Sequence, residues 1–288
     1  MIHVYADDVQ LYFGFKLSEQ KFAEKRLENM MEELGKWMDE SFLKLNKDKT
    51  MIKIFKQRSE SVPSFSLFNE NQIIKPSSSV KLLGIELGEG KLFNKFITKK
   101  ITTCNLHLRN LKTVRHCLPQ KTKILVFNSL IIPKLDYCNI LLLCSPKCDL
   151  IPLQRVLNRG VRYIFNLKFT DRTSPYLFKL HVLPINFRVK FKACLLAYKI
   201  VNKLAPDYLM NMFSMFDPTC NMELRQTSGR DSLMFKETLQ ENKTLTLSSK
   251  LKKEWNNLPL EIRKLKTLNS FKSNLKTLFF RQAFAEFL

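Results

Sequence analysis

Two adjacent carboxylates, Asp7 and Asp8, lie between apolar runs in the stretch VYADDVQLYF, residues 4–13. Side by side, such charges repel, which raises the pKa of one of them unless a cation offsets it. Hard cations prefer oxygen ligands and keep water or phosphate in their shell. With two such ions roughly 3.5–4 Å apart, one activates an attacking hydroxyl and the other stabilises a leaving group. The chemistry open to this pair is therefore metal-assisted phosphoryl transfer. The plainer alternative is a hairpin with an acidic tip, because Asp is a common turn residue.

The elements around the pair come next. Met1–Tyr5 and Val9–Phe13 are rich in β-branched and aromatic residues, which predicts two short strands joined by a tight turn that holds both carboxylates. Ser18 can cap a helix. Ala23, Leu27, Met30, Met31, Leu34, Trp37 and Met38 then recur at helical spacing with one buried face. The segment SFLKLNKDKTMIKIF, residues 41–55, ends in an alternating run, Met51–Phe55, that reads as a strand. Residues 59–79 are polar and Ser-rich, as loops around short strands are. VKLLGIELG, residues 80–88, reads as an apolar strand broken by Gly84, where another backbone or a ligand comes close.

The string Tyr5-Ala6-Asp7-Asp8 between apolar strands resembles the catalytic palm motif of reverse transcriptases. Leu43, Leu45, Asn46, Lys49 and Thr50 are similar to the segment that follows the acidic hairpin in reverse transcriptases of non-LTR retrotransposons. The resemblance implies that Asp7 and Asp8 bind catalytic Mg2+, and that Lys49 protonates the leaving pyrophosphate. A solvated lysine in a lysine-rich loop is the alternative for Lys49. The same resemblance makes Leu83, Gly84 and Ile85 the tip of a primer grip. The order of hairpin, helix, strand and Leu-Gly strand is more specific than the acidic string alone.

The length of 288 residues suits about two domains, and 45% hydrophobic content can fill sizeable cores. Only 7 residues are Gly, which suggests a mostly helical chain past residue 90. No apolar run is long enough to span a membrane. The formal charge of +22 points to a polyanionic partner, because Lys and Arg bind phosphates with release of counterions. Lys outnumbers Arg by 35 to 13, and Phe, Ile and Asn are also abundant, so A/T-rich codons are a second source of this charge. Seven cysteines at irregular spacing read as reduced thiols. Cys144 and Cys148 have no second pair with which to make a zinc site.

Past residue 90 the pattern predicts a helix from Phe93 to about Leu118. Its outer side carries Lys95, Lys99, Lys100, Arg109 and Lys112. A second helix is expected from Pro119 to about Ile132, where Pro133 ends it, followed by the apolar and buried LDYCNILLL, residues 135–143. A third helix is expected after Pro152, with Arg155, Arg159 and Arg162 on one face. That face is either solvated or tracks a phosphate backbone, as a polymerase thumb does. Trp255, Phe271, Phe279 and Phe280 at helical spacing read as core rather than as base-stacking platforms.

The later segments, up to KEWNNLPLEIRKLKTLNSFKSNLKTLFF, are similar to the C-terminal part of jockey-like non-LTR retrotransposon proteins. The expected fold class is therefore α+β. Residues 1–90 form the second half of a polymerase palm, 91–165 a helical thumb-like region, and 166–288 a basic helical extension. The resemblance implies RNA-directed DNA polymerase activity, with RNA template, DNA primer or target and deoxynucleotides as partners, in nucleus and cytoplasm. The family's palm needs a third carboxylate on an earlier strand, and fingers that bind the nucleotide. Neither has a counterpart here, since Asp39 and Asp48 both follow the hairpin. The expectation is a truncated piece that is inactive by itself, or a non-enzymatic RNA- or DNA-binding remnant.

Overall fold

A computed structural model describes residues 2–55, 65–69, 72–88, 93–215, 233–236 and 246–287. The fold is α+β and mostly helical. It divides into two compact units, Met1–Leu92 and Phe93–Leu288.

The first unit is built from hairpins and one long helix. β1 (Ile2–Tyr5) pairs antiparallel with β2 (Asp8–Leu11). Helix α1 (Gln20–Glu40) follows and buries Ala23. β3 (Leu67–Asn69) pairs with β4 (Gln72–Ile74), and β5 (Val80–Leu82) with β6 (Ile85–Leu87). Ala23 and Phe65 centre a small core to which Phe13, Phe15, Leu27, Met31, Ile52 and Ile54 add. Met51–Phe55 forms no strand. It makes a single bridge, Ile52 to Pro76, closed by the Ser77 N–H donating to the Ile52 carbonyl at 2.8 Å. The three hairpins remain separate two-stranded sheets, whereas a palm calls for a shared sheet. Strand pairs this short have few ladder bonds and little area to bury.

The second unit is helical. It comprises α2 (Asn94–Thr113), α3 (Gln120–Leu130), α4 (Ile132–Asp136), α5 (Lys147–Phe165), α6 (Ser174–Lys179), α7 (Ile185–Val201), α8 (Asp207–Met210), α9 (Leu247–Asn256), α10 (Leu260–Arg263) and α11 (Leu268–Ala283). A 3₁₀ segment, Asn139–Cys144, joins α4 to α5. One core gathers α2 to α6 around Phe127, Leu157 and Val161. A second gathers α7, α9 and α11 around Trp255, Phe271 and Leu275.

Prolines set several boundaries here. Pro133 lies in the first turn of α4, so it opens that helix instead of ending α3. A missing N–H costs nothing there, because the first turn has no acceptor for it. α5 starts at Lys147, ahead of Pro152, which sits inside the helix. Pro146 stands at its N-cap, and Pro184 and Pro206 do the same for α7 and α8. Thr246 and Thr267 cap α9 and α11 by accepting from the N–H groups of Ser249 and Ser270.

The contact between α3 and α5 depends on Gly160. A Cβ there would lie 2.1 Å from the ring edge of Phe127, which is itself completely buried. A ring packed on all sides cannot swing aside, so overpacking of this kind costs about 1–3 kcal/mol. Gly160→Ala is expected to lower stability by that amount in urea melts. Phe127→Leu added to Gly160→Ala should cost less than the sum of the two single changes. Strict additivity would show that the ring and the glycine do not meet.

Candidate nucleic-acid interface

The acidic pair divides between loop and strand. Tyr5 pairs with Asp8, so Ala6 and Asp7 form the two-residue turn and Asp8 opens β2. Ala6 takes the positive φ that this turn requires, 52°. Both carboxylates are exposed, and neither has a hydrogen-bond or ion-pair partner among the described residues. The strand beside them is exposed too, with Val4 and Tyr5 about two-thirds accessible at 66% and 65%. Among the described residues no three His, Cys, Asp or Glu side chains converge on one point. Two carboxylates alone do not fit a two-metal centre, which shares its ions among more ligands.

Lys49 lies in a turn that Asn46 organises. The Lys49 N–H donates to the Asn46 carbonyl and side-chain oxygen, each at 3.2 Å, and the Thr50 hydroxyl donates to the same carbonyl at 2.9 Å. Asn and Asp favour such turns because their side chains mimic a backbone acceptor. The Lys49 ammonium is exposed and has no bond to Asp7 or Asp8.

Leu83 and Gly84 form the turn between β5 and β6, closed by the pair Leu82 and Ile85. Both have positive φ, 45° and 81°, the pattern of a type I′ hairpin. Gly84 is thus explained by the turn, not by a break within one strand. Leu83 is the unusual member, since a left-handed conformation costs a side-chain-bearing residue roughly 1–2 kcal/mol.

The three arginines of α5 differ in their surroundings. Arg155 is exposed. Arg159, also exposed, reaches across to α2 and donates to the Asn105 side-chain oxygen at 2.9 Å. Arg162 is partly buried, donates to the Asp171 carbonyl at 3.2 Å and lies 5.5 Å from the Phe169 ring. It holds the chain where α5 ends at Asn166, so its charge serves the fold as much as any phosphate.

Lys100 departs from the expected outer face of α2. It is only 6% exposed, and its ammonium donates to the Leu135 carbonyl at 3.2 Å and to the Tyr137 carbonyl. It lies 4.6 Å from the Phe96 ring. Burial pulls its pKa down to about 8, against the pull of nearby Cys138 and Asp136. Cations favour the C-terminal end of a helix, and α4 ends at these carbonyls. Burial also pushes the Cys104 and Cys194 thiols up, Cys194 the more strongly, as expected of inert core cysteines. Trp255 and Phe271 are completely buried and Phe279 nearly so, which makes them core side chains. Tyr198 stacks on Phe271 at 4.3 Å, and the Trp255 indole donates to the Leu233 carbonyl at 2.6 Å.

Leu83→Asn should stabilise the β5–β6 hairpin by about 1 kcal/mol, because Asn tolerates the left-handed region. A rise in protection of the Val80–Leu87 amides would record it, and a loss would show that Leu83 contributes more than the turn does. The lowered pKa of Lys100 makes the unfolded chain bind the extra proton between pH 8 and the normal lysine range. Stability attributable to Lys100 therefore rises with pH through that window. The two carbonyl acceptors oppose the shift, so about 3 kcal/mol is its upper limit. Lys100→Met should flatten this part of the stability–pH curve, and an unchanged slope would assign it to other groups.

No family model matches the chain, and no curated protein or solved structure matches it either.

Proposed function

We propose that this chain derives from the RNA-directed DNA polymerase of a non-LTR retrotransposon, and that by itself it binds RNA or DNA without polymerising. The carrying observation is the order of features in Met1–Leu92. An acidic two-residue hairpin is followed by a long helix, an Asn-organised turn bearing Lys49, and a Leu-Gly hairpin. In this reading Asp7 and Asp8 correspond to two of the carboxylates that would hold Mg2+ in the complete polymerase. Lys49 corresponds to the proton donor to pyrophosphate, and Leu83, Gly84 and Ile85 to the residues that would meet the primer there.

The same residues argue against turnover by this chain alone. The acidic pair lacks a converging third ligand among the described residues, and the hairpins share no sheet. Binding has better support. The net charge is +22, and exposed Lys99, Arg109, Lys112, Arg155 and Arg159 project from α2 and α5. Lys and Arg contacts to phosphate give salt-dependent affinity that is largely indifferent to sequence.

Fluorescence anisotropy with labelled RNA and DNA tests this. Binding is expected at about 150 mM salt with a Kd of about 1–100 micromolar, falling steeply in affinity as salt rises. Asp7→Asn should leave it unchanged. Failure to bind either polymer would overturn the binding half of the proposal. Primer extension on an RNA template with Mg2+ and deoxynucleotides should be absent. Extension that disappears in Asp7→Asn would show instead a working polymerase.

A further inference from the structure

A cleft of about 210 Å³ opens in the helical unit, lined by Asp136, His181, Leu183, Arg188, Phe191, Lys192 and Lys276. Its charges are unevenly paired. Arg188 donates through Nε to Asp136 at 2.8 Å and through a second nitrogen to the other carboxylate oxygen, so these two cancel. Lys192 and Lys276 are exposed and have no acidic partner among the described residues. Arg188, Phe191 and Lys192 stand at i, i+3 and i+4 on α7 and so share one face. Lys276 comes from α11, which packs on α7. His181 has a φ of 52° and is stacked on Phe280 of α11 at 5.4 Å.

We propose that this cleft binds the phosphoryl group of a nucleotide, with Lys192 and Lys276 as its counter-charges. The inference rests on the nucleic-acid reading above and gives it a specific seat. Two uncompensated ammonium groups beside an apolar wall attract an anion more strongly than the same groups on an open surface, because the wall displaces water. Lysine meets phosphate as a point charge that needs no fixed approach direction. Leu183 and Phe191 offer that wall to the adjoining sugar or base. The volume lies below the range of about 300–1,000 Å³ typical of drug-sized pockets. One phosphate with an adjoining ring suits it, and a longer stretch of strand would have to leave the cleft. The Arg188–Asp136 pair, also in the lining, ties α7 to the end of α4.

The test uses the full chain and three probes: adenosine monophosphate, inorganic phosphate and a short single-stranded DNA. The variants are Lys192→Gln/Lys276→Gln and, to match the loss of charge, Lys25→Gln/Lys36→Gln. Calorimetry should show saturable adenosine monophosphate binding, weakened about tenfold in the cleft variant, which equals about 1.4 kcal/mol. The control should bind as the parent does. Inorganic phosphate should bind at the same site more weakly, since it has no ring to place on the wall. If adenosine monophosphate also displaces the DNA, the phosphate in the cleft belongs to a strand. If the DNA is indifferent to the cleft variant, the phosphate is that of a free nucleotide. The proposal is overturned if adenosine monophosphate does not bind the parent chain, or if the control loses as much affinity as the cleft variant. DNA binding that persists then leaves the nucleic-acid reading standing. DNA that never binds, with lysine-dependent nucleotide binding intact, removes that reading and keeps the cleft. Should the double variant melt early, Lys276→Gln alone carries the same comparison.

Discussion

The helical unit depends on how the irregular segment Leu135–Cys144 is held. This stretch carries Leu135, Asn139 and Leu142 into the interior, where backbone carbonyls out of reach of water need partners. The Cys138 and Leu142 carbonyls accept from the N–H groups of Leu141 and Ser145, and cations serve others. Lys100 takes the carbonyls of Leu135 and Tyr137, and Lys250 takes that of Leu143 at 3.0 Å. Arg188 grips Asp136 from α7. Leu142 belongs to the first core, while Ile140 and Leu143 pack against the second, so the segment is shared between them. Removing one of these cations would leave buried carbonyls unmatched, a larger loss than the bond itself contributes.

This arrangement changes the meaning of the net charge. Lys100, Lys123, Lys252 and Arg263 are buried, and Arg162 and Arg188 are partly so. Lys123 reaches the Asn166 side chain, and Arg263 donates to the Leu258 carbonyl at 3.1 Å. Lys100, Arg162 and Arg263 do for irregular backbone what strands and helices do for regular backbone. Fewer cations are therefore open to a polyanion than the sequence contains. A basic composition is therefore a poor measure of phosphate affinity until burial is known.

Much of this was legible in the residues. The hairpin around Asp7 and Asp8 and the long helix α1 follow from periodicity and apolar content, whereas the run 135–143, expected to be buried, buries only Leu135, Asn139 and Leu142 and leaves Tyr137 exposed. The aromatic core around Trp255 follows in the same way. Other features depend on partners distant in sequence. Lys100 lies among Lys95 and Lys99 in a pattern that reads as a solvated face, and only α4, 35 residues on, turns it inward. Gly160 interrupts an otherwise ordinary amphipathic helix, and Phe127 supplies its reason. Pro133 and Pro152 were ambiguous, because proline begins helices as readily as it ends them. The Leu83-Gly84 turn was hidden because Leu is a poor residue for a type I′ position.

The first unit poses the opposite problem from the second. Its residue types are the more specific, yet its core is small, with Ala23 and Phe65 as its buried members. Ile2, Val4 and Tyr5 are exposed beside the carboxylates. A metal-binding pair works only when its oxygens are held within a fraction of an ångström, which needs rigid support on both sides. A two-stranded hairpin is marginal by itself. Among the described residues the acidic pair has only its own two-stranded sheet to hold it. The helical unit carries its exposed charge on elements that pack around two larger cores. Contacts between lysine and phosphate make no such demand on geometry, since the ammonium acts as a point charge.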